Sequence, residues 1–295
     1  MQEFKRYHPI VNFTYFLFVI IFSCSLMHPV CLCVSLCTSL FFFFRIREKT
    51  KGIRMILSFL PLLFLTAMIN PLFNHEGMTI LAYFPDGNPL TLESLYYGIS
   101  AGVMLLAVIL HFTHYNQVMT SDKFLYLFGK LIPSLSLVFS MVLRFIPDLK
   151  KQLDAVLMGQ KCIHNESQKK NTFARVKNGI HTIGILITWA LEHSIYTADS
   201  MRSRGYGTCK RTTYSYHRFD GRDARLFLFM VILGSYVFIG YLTGSINVQY
   251  FPDFQITEWN TYNISVLISY FLLCITPVIP EWKEARKWKQ LVSEN

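Results

Sequence analysis

The chain has 295 residues and a net charge of +10; 52% of it is hydrophobic and 16% charged, with 26 phenylalanines. A typical soluble domain carries roughly 25% charged residues, so these proportions exclude a water-soluble globular enzyme and point to an integral membrane protein. What remains is to place its 28 Lys and Arg residues.

A membrane span needs about 20 mostly apolar residues, and candidates follow one another along the chain. VNFTYFLFVIIFSCSLM (11–27) is the first, and VCLCVSLCTSLFFFF (30–44) is a short second one turned by His28-Pro29. IRMILSFLPLLFLTAMI (53–69) is the third and SLYYGISAGVMLLAVILHF (94–112) the fourth. LFLFMVILGSYVFIGYLTG (226–244) and ISVLISYFLLCITPVI (264–279) complete the set. The first run is too long for a signal peptide, lacks a small-residue cleavage site, and runs straight into a second span.

Threading six spans with the N-terminus inside sorts the basic residues completely. Lys5 and Arg6 lie at the N-terminus, five Lys and Arg in RIREKTKGIR (45–54), seventeen in 119–225, and Lys283, Arg286, Lys287 and Lys289 in the tail. The outer loops 70–93 and 245–263 hold none, and carry Glu76, Asp86, Asp253 and Glu258 instead. By the positive-inside rule this partition predicts both termini in the cytoplasm. The expected architecture is an all-α, multi-pass protein of the cell membrane. Residues 1–118 hold spans one to four, 119–225 form a cytoplasmic block, and 226–295 hold spans five and six with the tail.

Two more apolar stretches lie in 119–225: LIPSLSLVFSMVLRFIP (131–147) and IHTIGILITWALEHSI (180–195). If both spanned, Lys150, Lys151, Lys161, Lys169, Lys170, Arg175 and Lys177 would lie outside, against the charge rule. The block therefore reads as cytoplasmic or interface-lying amphipathic helices. Pro133 and Pro147 are expected to bound its first apolar segment. From Pro147, PDLKKQLDAVLMGQKCI reads as a helix with Leu149, Leu153, Val156 and Leu157 on one face, and HNESQKKN (164–171) reads as a loop.

A longer helix then runs from about Thr172 to Arg204, about 45 Å at 1.5 Å per residue. Val176, Ile180, Ile183, Ile187, Leu191, Ile195 and Ala198 recur at 3/4 spacing along it, as a narrow coiled-coil-like seam. ADSMRSRGYG (198–207) ends it. Gly205 suits the first position beyond a helix, and Arg202 and Arg204 sit where the helix dipole favours cations. Capping chemistry alone accounts for those residues. Their placement on a cytoplasmic helix of a polytopic protein also suits insertion into an acidic groove of a soluble partner.

LRFIPDLKKQLDAVLMGQ (143–160), a long helix, and then SMRSRGYG (200–207) together resemble the transmembrane T component of energy-coupling-factor (ECF) transporters, a cobalt/vitamin-type permease family. MTSDKFLYLFGKLIPSLSLVFSMVLRFIP (119–147) and the span count fit the same family, so the resemblance covers most of the chain. It implies two cytoplasmic coupling helices, each ending in an Ala-Arg-Gly-like motif that docks on one of two ABC ATPase subunits. It also implies a small membrane S component that binds the substrate, either a vitamin or a transition-metal ion. By this resemblance Ser203, Arg204 and Gly205, with Arg202 beside them, are the ATPase-binding residues of the second helix. The first motif departs from the pattern: its small-Arg-Gly would fall on Cys162-Ile163-His164, where neither Arg nor Gly stands. Gln160 and Lys161 are left as a weaker second contact. The expected role is a coupling subunit of a bacterial importer, with ATP hydrolysis on its partners and no catalytic residue, cofactor or metal of its own.

Rival classes find less in the residues. A stand-alone secondary transporter or channel would carry ionisable groups or broken helices in its spans, and the six spans hold no Asp, Glu, Lys or Arg away from their ends. For a membrane enzyme or metal site, His111 and His114 form an i, i+3 pair without an adjacent carboxylate or cysteine, and read as polar residues where the fourth span leaves the membrane. Cys24, Cys31, Cys33 and Cys37 lack CxxC spacing, and with Cys162, Cys209 and Cys274 read as apolar filler. Lys130 follows Gly129 without the upstream glycine of a phosphate loop. Topology and the lipid bilayer explain the basic face without nucleic acid.

Overall fold

A computed structural model describes residues 2–46, 49–83, 87–129, 132–163, 172–208, 218–256 and 259–282, together with Arg286 and Gln290. The HNESQKKN segment, Asp86, Lys130, Cys209, Glu258 and the tail lysines lie outside the described residues.

In chain order the elements are α1 (Gln2–Lys5), α2 (Pro9–Ser25), α3 (Pro29–Ile46), α4 (Lys49–Phe73), β1 (Ile80–Tyr83), β2 (Pro89–Thr91) and α5 (Leu92–Val118). They continue with α6 (Ser121–Gly129), α7 (Pro133–Ile163), α8 (Thr172–Ser203), α9 (Gly221–Leu242), β3 (Val248–Gln249), β4 (Gln255–Ile256) and α10 (Thr261–Ile275). Two compact units result: Met1–Phe124 with His217–Asn295, and Leu125–Tyr216.

The first unit contains an apolar helix on each of the six apolar runs. Leu92–Val118 and Gly221–Leu242 are long and apolar enough to cross a membrane, and Pro9–Ser25, Pro29–Phe44, Leu57–Phe73 and Thr261–Ile275 are shorter apolar helices. In the core, Tyr15, Phe16, Val19 and Phe22 of α2 cluster with Met230 and Val237 of α9 and with Val266, Tyr270 and Leu273 of α10. Two short antiparallel pairs, β1–β2 and β3–β4, interrupt the otherwise helical fold in its loops.

A helix pair can approach closely where side chains are missing. At Gly98 on α5 a Cβ would lie 2.9 Å from the Ala67 carbonyl oxygen of α4, and at Gly102 one would lie 2.5 Å from Thr66 Oγ1. Asn70 Nδ2 then donates to the Ser94 carbonyl at 2.8 Å, fixing the register of the pair.

Polar side chains inside this unit join helices to one another, as lipid surroundings require of them. Ser23 Oγ of α2 lies 2.7 Å from Ser35 Oγ of α3 and 3.2 Å from the Tyr270 hydroxyl of α10, and Ser35 Oγ lies 3.1 Å from His111 Nε2 of α5. His114 Nε2 lies 2.9 Å from the Ser39 carbonyl oxygen. Both histidines are buried. They fill the α3–α5 interface. Among the described residues no group of three His, Cys, Asp or Glu could hold a metal ion. Of the cysteines, Cys31 and Cys274 are buried filler, whereas Cys24, Cys33, Cys37 and Cys162 are exposed.

The chain's first turn is tied to the helix ends beside it. Lys123 is buried and donates to the Lys5 carbonyl. Burial, and then the Lys5 charge, pull its ammonium down to about 8.

The second unit contains α7 and α8, and two expectations are corrected there. Pro147 does not bound a segment: α7 runs unbroken through it for 31 residues. A proline removes one intrahelical donor, and the helix-forming sequence on both sides carries the helix through that loss. The expected seam on α8 is not buried either. Val176, Ile180, Ile183, Ile187, Leu191 and Ile195 are all exposed. α7 packs on a different face, where Phe145 stacks on Trp189 (centroids 5.6 Å, planes 16° apart) and Trp189 on His193 (5.1 Å, 18°). Fifteen residues further along α7, buried Thr182 donates from Oγ1 to Gln160 Oε1 at 2.9 Å. Leu149, Leu153 and Val156 lie half-buried between these two contacts.

Candidate partner-docking site

α8 has 32 residues, about 48 Å of helix, and its C-terminal end is closed by two backbone bonds. Gly205 N donates to the Arg202 carbonyl and Tyr206 N to the Met201 carbonyl, each at 3.0 Å. With Gly205 at φ +77°, this is the Schellman arrangement, in which a left-handed residue turns the chain back to satisfy the last carbonyls. Ser203 Oγ donates to the Ser200 carbonyl at 2.9 Å, and Thr208 Oγ1 to that of Gly205 at 2.7 Å. These bonds close the turn on itself.

Arg202, Ser203, Arg204 and Gly205 are all exposed, and among the described residues neither guanidinium has an ion-pair or hydrogen-bond partner. Two cations therefore stand at the negative end of a long helix dipole, on a backbone fixed by the turn. A Cβ added at Gly205 would meet Thr208 Oγ1 at 3.3 Å, and one at Gly207 would meet nothing within 4 Å. The open backbone there gives a partner room to approach closely.

The end of α7 is different. Lys161 and Cys162 are exposed, while the Gln160 amide is held by Thr182 within the unit. The six residues singled out on sequence grounds thus divide: Arg202, Ser203, Arg204 and Gly205 form one exposed helix end, Lys161 is exposed at the end of α7, and Gln160 belongs to the α7–α8 contact. The sequence reading missed that contact. Its signal was present in Trp189 and His193, which are spaced i, i+4 and so share a helix face.

The profile of the cobalt transport protein family, CbiQ, matches residues 2–215 of this sequence. The chain belongs to that family. The matched region takes in α8 with its Schellman end. The chain is also similar to a curated relative from Staphylococcus aureus (strain 04-02981), the "Energy-coupling factor transporter transmembrane protein EcfT", with 30% identity over 140 residues. That alignment covers 45% of this chain and 52% of the relative, so the chain matches about half the length of that protein.

Proposed function

We propose that this family member is the membrane coupling subunit of an ECF-type importer in a bacterial plasma membrane, with six spans and both termini in the cytoplasm. Partner ABC ATPases dock on the exposed Arg204-Gly205 end of α8. A small S component carries the substrate, a vitamin or a transition-metal ion, and is moved when ATP closure of the ATPase pair shifts α7 and α8. The observation that carries this reading is the exposed Arg202 and Arg204, unpaired among the described residues, on a helix end closed by its Schellman bonds, in a chain of this family. The name of the Staphylococcus relative supports it. So does the bare apolar stripe of α8, which leaves a surface for a membrane partner.

The two helix ends are unequal in this proposal. The α7 end offers Lys161 alone, because Gln160 is held by Thr182, and it docks more weakly. The interior of the bundle gives the rival reading of a stand-alone transporter or channel little support, because its buried hydroxyl and imidazole groups serve contacts between helices.

The test is copurification of the ATPases. Losing one member of a buried interfacial charge pair costs about 2–5 kcal/mol. Arg204→Glu therefore abolishes copurification and uptake while membrane insertion and S-component binding persist, and Lys161→Ala weakens association less. If Arg204 only terminates the helix, the same change costs about 1 kcal/mol of local stability and an active complex is recovered. Uptake by the purified chain alone would favour the stand-alone transporter.

A further inference from the structure

α4 presents two unlike flanks. One lies against Gly98 and Gly102 of α5. On the opposite flank Leu65, Met68, Ile69, Leu72 and Phe73 are exposed, Phe73 to 83%. No charged residue interrupts Leu57–Phe73. The exposed apolar surface resumes beyond the helix end: Met78 is 70% exposed, and all four residues of β1 are exposed. Residues 77–83 (GMTILAY) carry no charge.

This loop is firmly held. Thr79 donates from both its backbone N–H and its hydroxyl to the buried Glu93 carboxylate. Leu92 N donates to the Thr79 carbonyl at 2.9 Å and Met78 N to the Pro252 carbonyl at 3.1 Å. Thr91 Oγ1 donates to the Glu76 carbonyl at 2.8 Å. The apolar side chains are held outward by a hydrogen-bonded base.

Two physical limits fix where such a strand can sit. A rigid, contiguous apolar patch is disfavoured in bulk water. Among the described residues β1 pairs along one edge only, with β2, and a free strand edge is not tolerated in the hydrocarbon core. The headgroup–acyl boundary satisfies both: apolar side chains reach the acyl chains while the free edge meets headgroups and water. Tyrosine and tryptophan favour that depth, and Tyr83 and Trp259 are 68% and 67% exposed.

We propose that the β1–β2 hairpin is a membrane-seating element, with Met78, Leu81 and Tyr83 inserted into the headgroup boundary of the leaflet at the C-terminal end of α4. Lipid is the occupant because, on the six-span reading proposed above, the patch continues the uncharged apolar flank of α4.

The test uses the full chain in vesicles of phosphatidylcholine and phosphatidylglycerol, with acyl chains brominated or not. Trp189, Trp259, Trp282 and Trp288 are replaced by Phe, and Leu81→Trp or Tyr83→Trp is added as the single fluorophore. Where that background does not fold, the same substitutions in the native chain are read as difference spectra. Quenching by brominated lipid together with shielding from acrylamide is the expected result. Quenching by acrylamide alone places the hairpin in water and overturns the proposal. Shielding from both agents means that protein, a second copy or a membrane partner, covers the strand, and overturns it equally.

Discussion

Asp223 Oδ1 accepts the backbone N–H of His8, 215 residues earlier in the chain, at 3.3 Å. Its Oδ2 accepts the N–H of Asp220 at 3.1 Å. His8 and Asp220 are the N-cap residues of α2 and α9, so one buried carboxylate serves two helix starts, where the dipoles favour negative charge. Asp223→Ala should cost about 1–3 kcal/mol, the range for a lost cap and an unsatisfied buried donor. Asp223→Asn, which keeps one acceptor, should cost less. Thermal unfolding in detergent measures both, and an unchanged Asp223→Ala midpoint would show that the carboxylate joins nothing.

Gly205 separates backbone conformation from side-chain chemistry at the docking end. Its φ of +77° suits glycine, is tolerated by asparagine, and penalises β-branched residues. With Arg204 untouched, Gly205→Val should disrupt the turn and weaken ATPase association at least tenfold, whereas Gly205→Asn should stay within a few-fold of the parent. Titrated pull-downs give the ranking, and equal affinities would show that the turn does not position Arg204.

The glycines of the helices divide into two groups. Gly98 has the Ala67 carbonyl 2.9 Å from where a Cβ would stand, and Gly179 has nothing within 4 Å. Gly98→Ala should therefore push α4 from α5 and destabilise by about 1–3 kcal/mol. Gly179→Ala should stabilise α8 by about 0.5–1 kcal/mol. Unfolding midpoints that shift in the same direction would contradict this close approach.

Glu93 gives a pH signature. Burial opposes its charge, but hydrogen bonds, from the Thr79 hydroxyl foremost, outweigh burial and hold the carboxyl below the ordinary value of 4.5. A depressed carboxyl stabilises above its unfolded value and loses that contribution as pH falls through the folded one. Glu93→Gln should thus be less stable than the parent at neutral pH, and the gap should close only in acid below 4.5. A pH-independent gap would assign the loss to packing instead.

Much of the fold was legible because apolar runs and glycine signals are local. The six apolar helices of the first unit fall on runs visible in the sequence, and the Gly205 end was legible from one glycine after two arginines. The misreadings lay where tertiary contacts overrode local rules. Pro147 reads as a break, yet α7 continues through it. The 3/4 pattern of α8 identified its apolar stripe correctly but assigned it to a seam, whereas α7 packs against the face bearing Thr182, Trp189 and His193. The partners of His111 and His114, Ser35 and Ser39, lie more than 70 residues away, beyond any local pattern. The Asp223 tie to His8 is equally non-local. No sequence pattern specifies it.

The Tyr15 hydroxyl meets the Cys274 carbonyl at 3.0 Å across 259 residues of chain. At a ribosomal rate of about 5–20 residues per second, roughly 13–50 s separate the emergence of the two groups. In the proposed six-span arrangement α2 has entered the bilayer during that interval, while its tyrosine still awaits α10. Residues that close the mature bundle are exposed polar groups in the nascent one. Truncation before α10 should therefore leave a chain that membrane quality control recognises, even with every other helix in place.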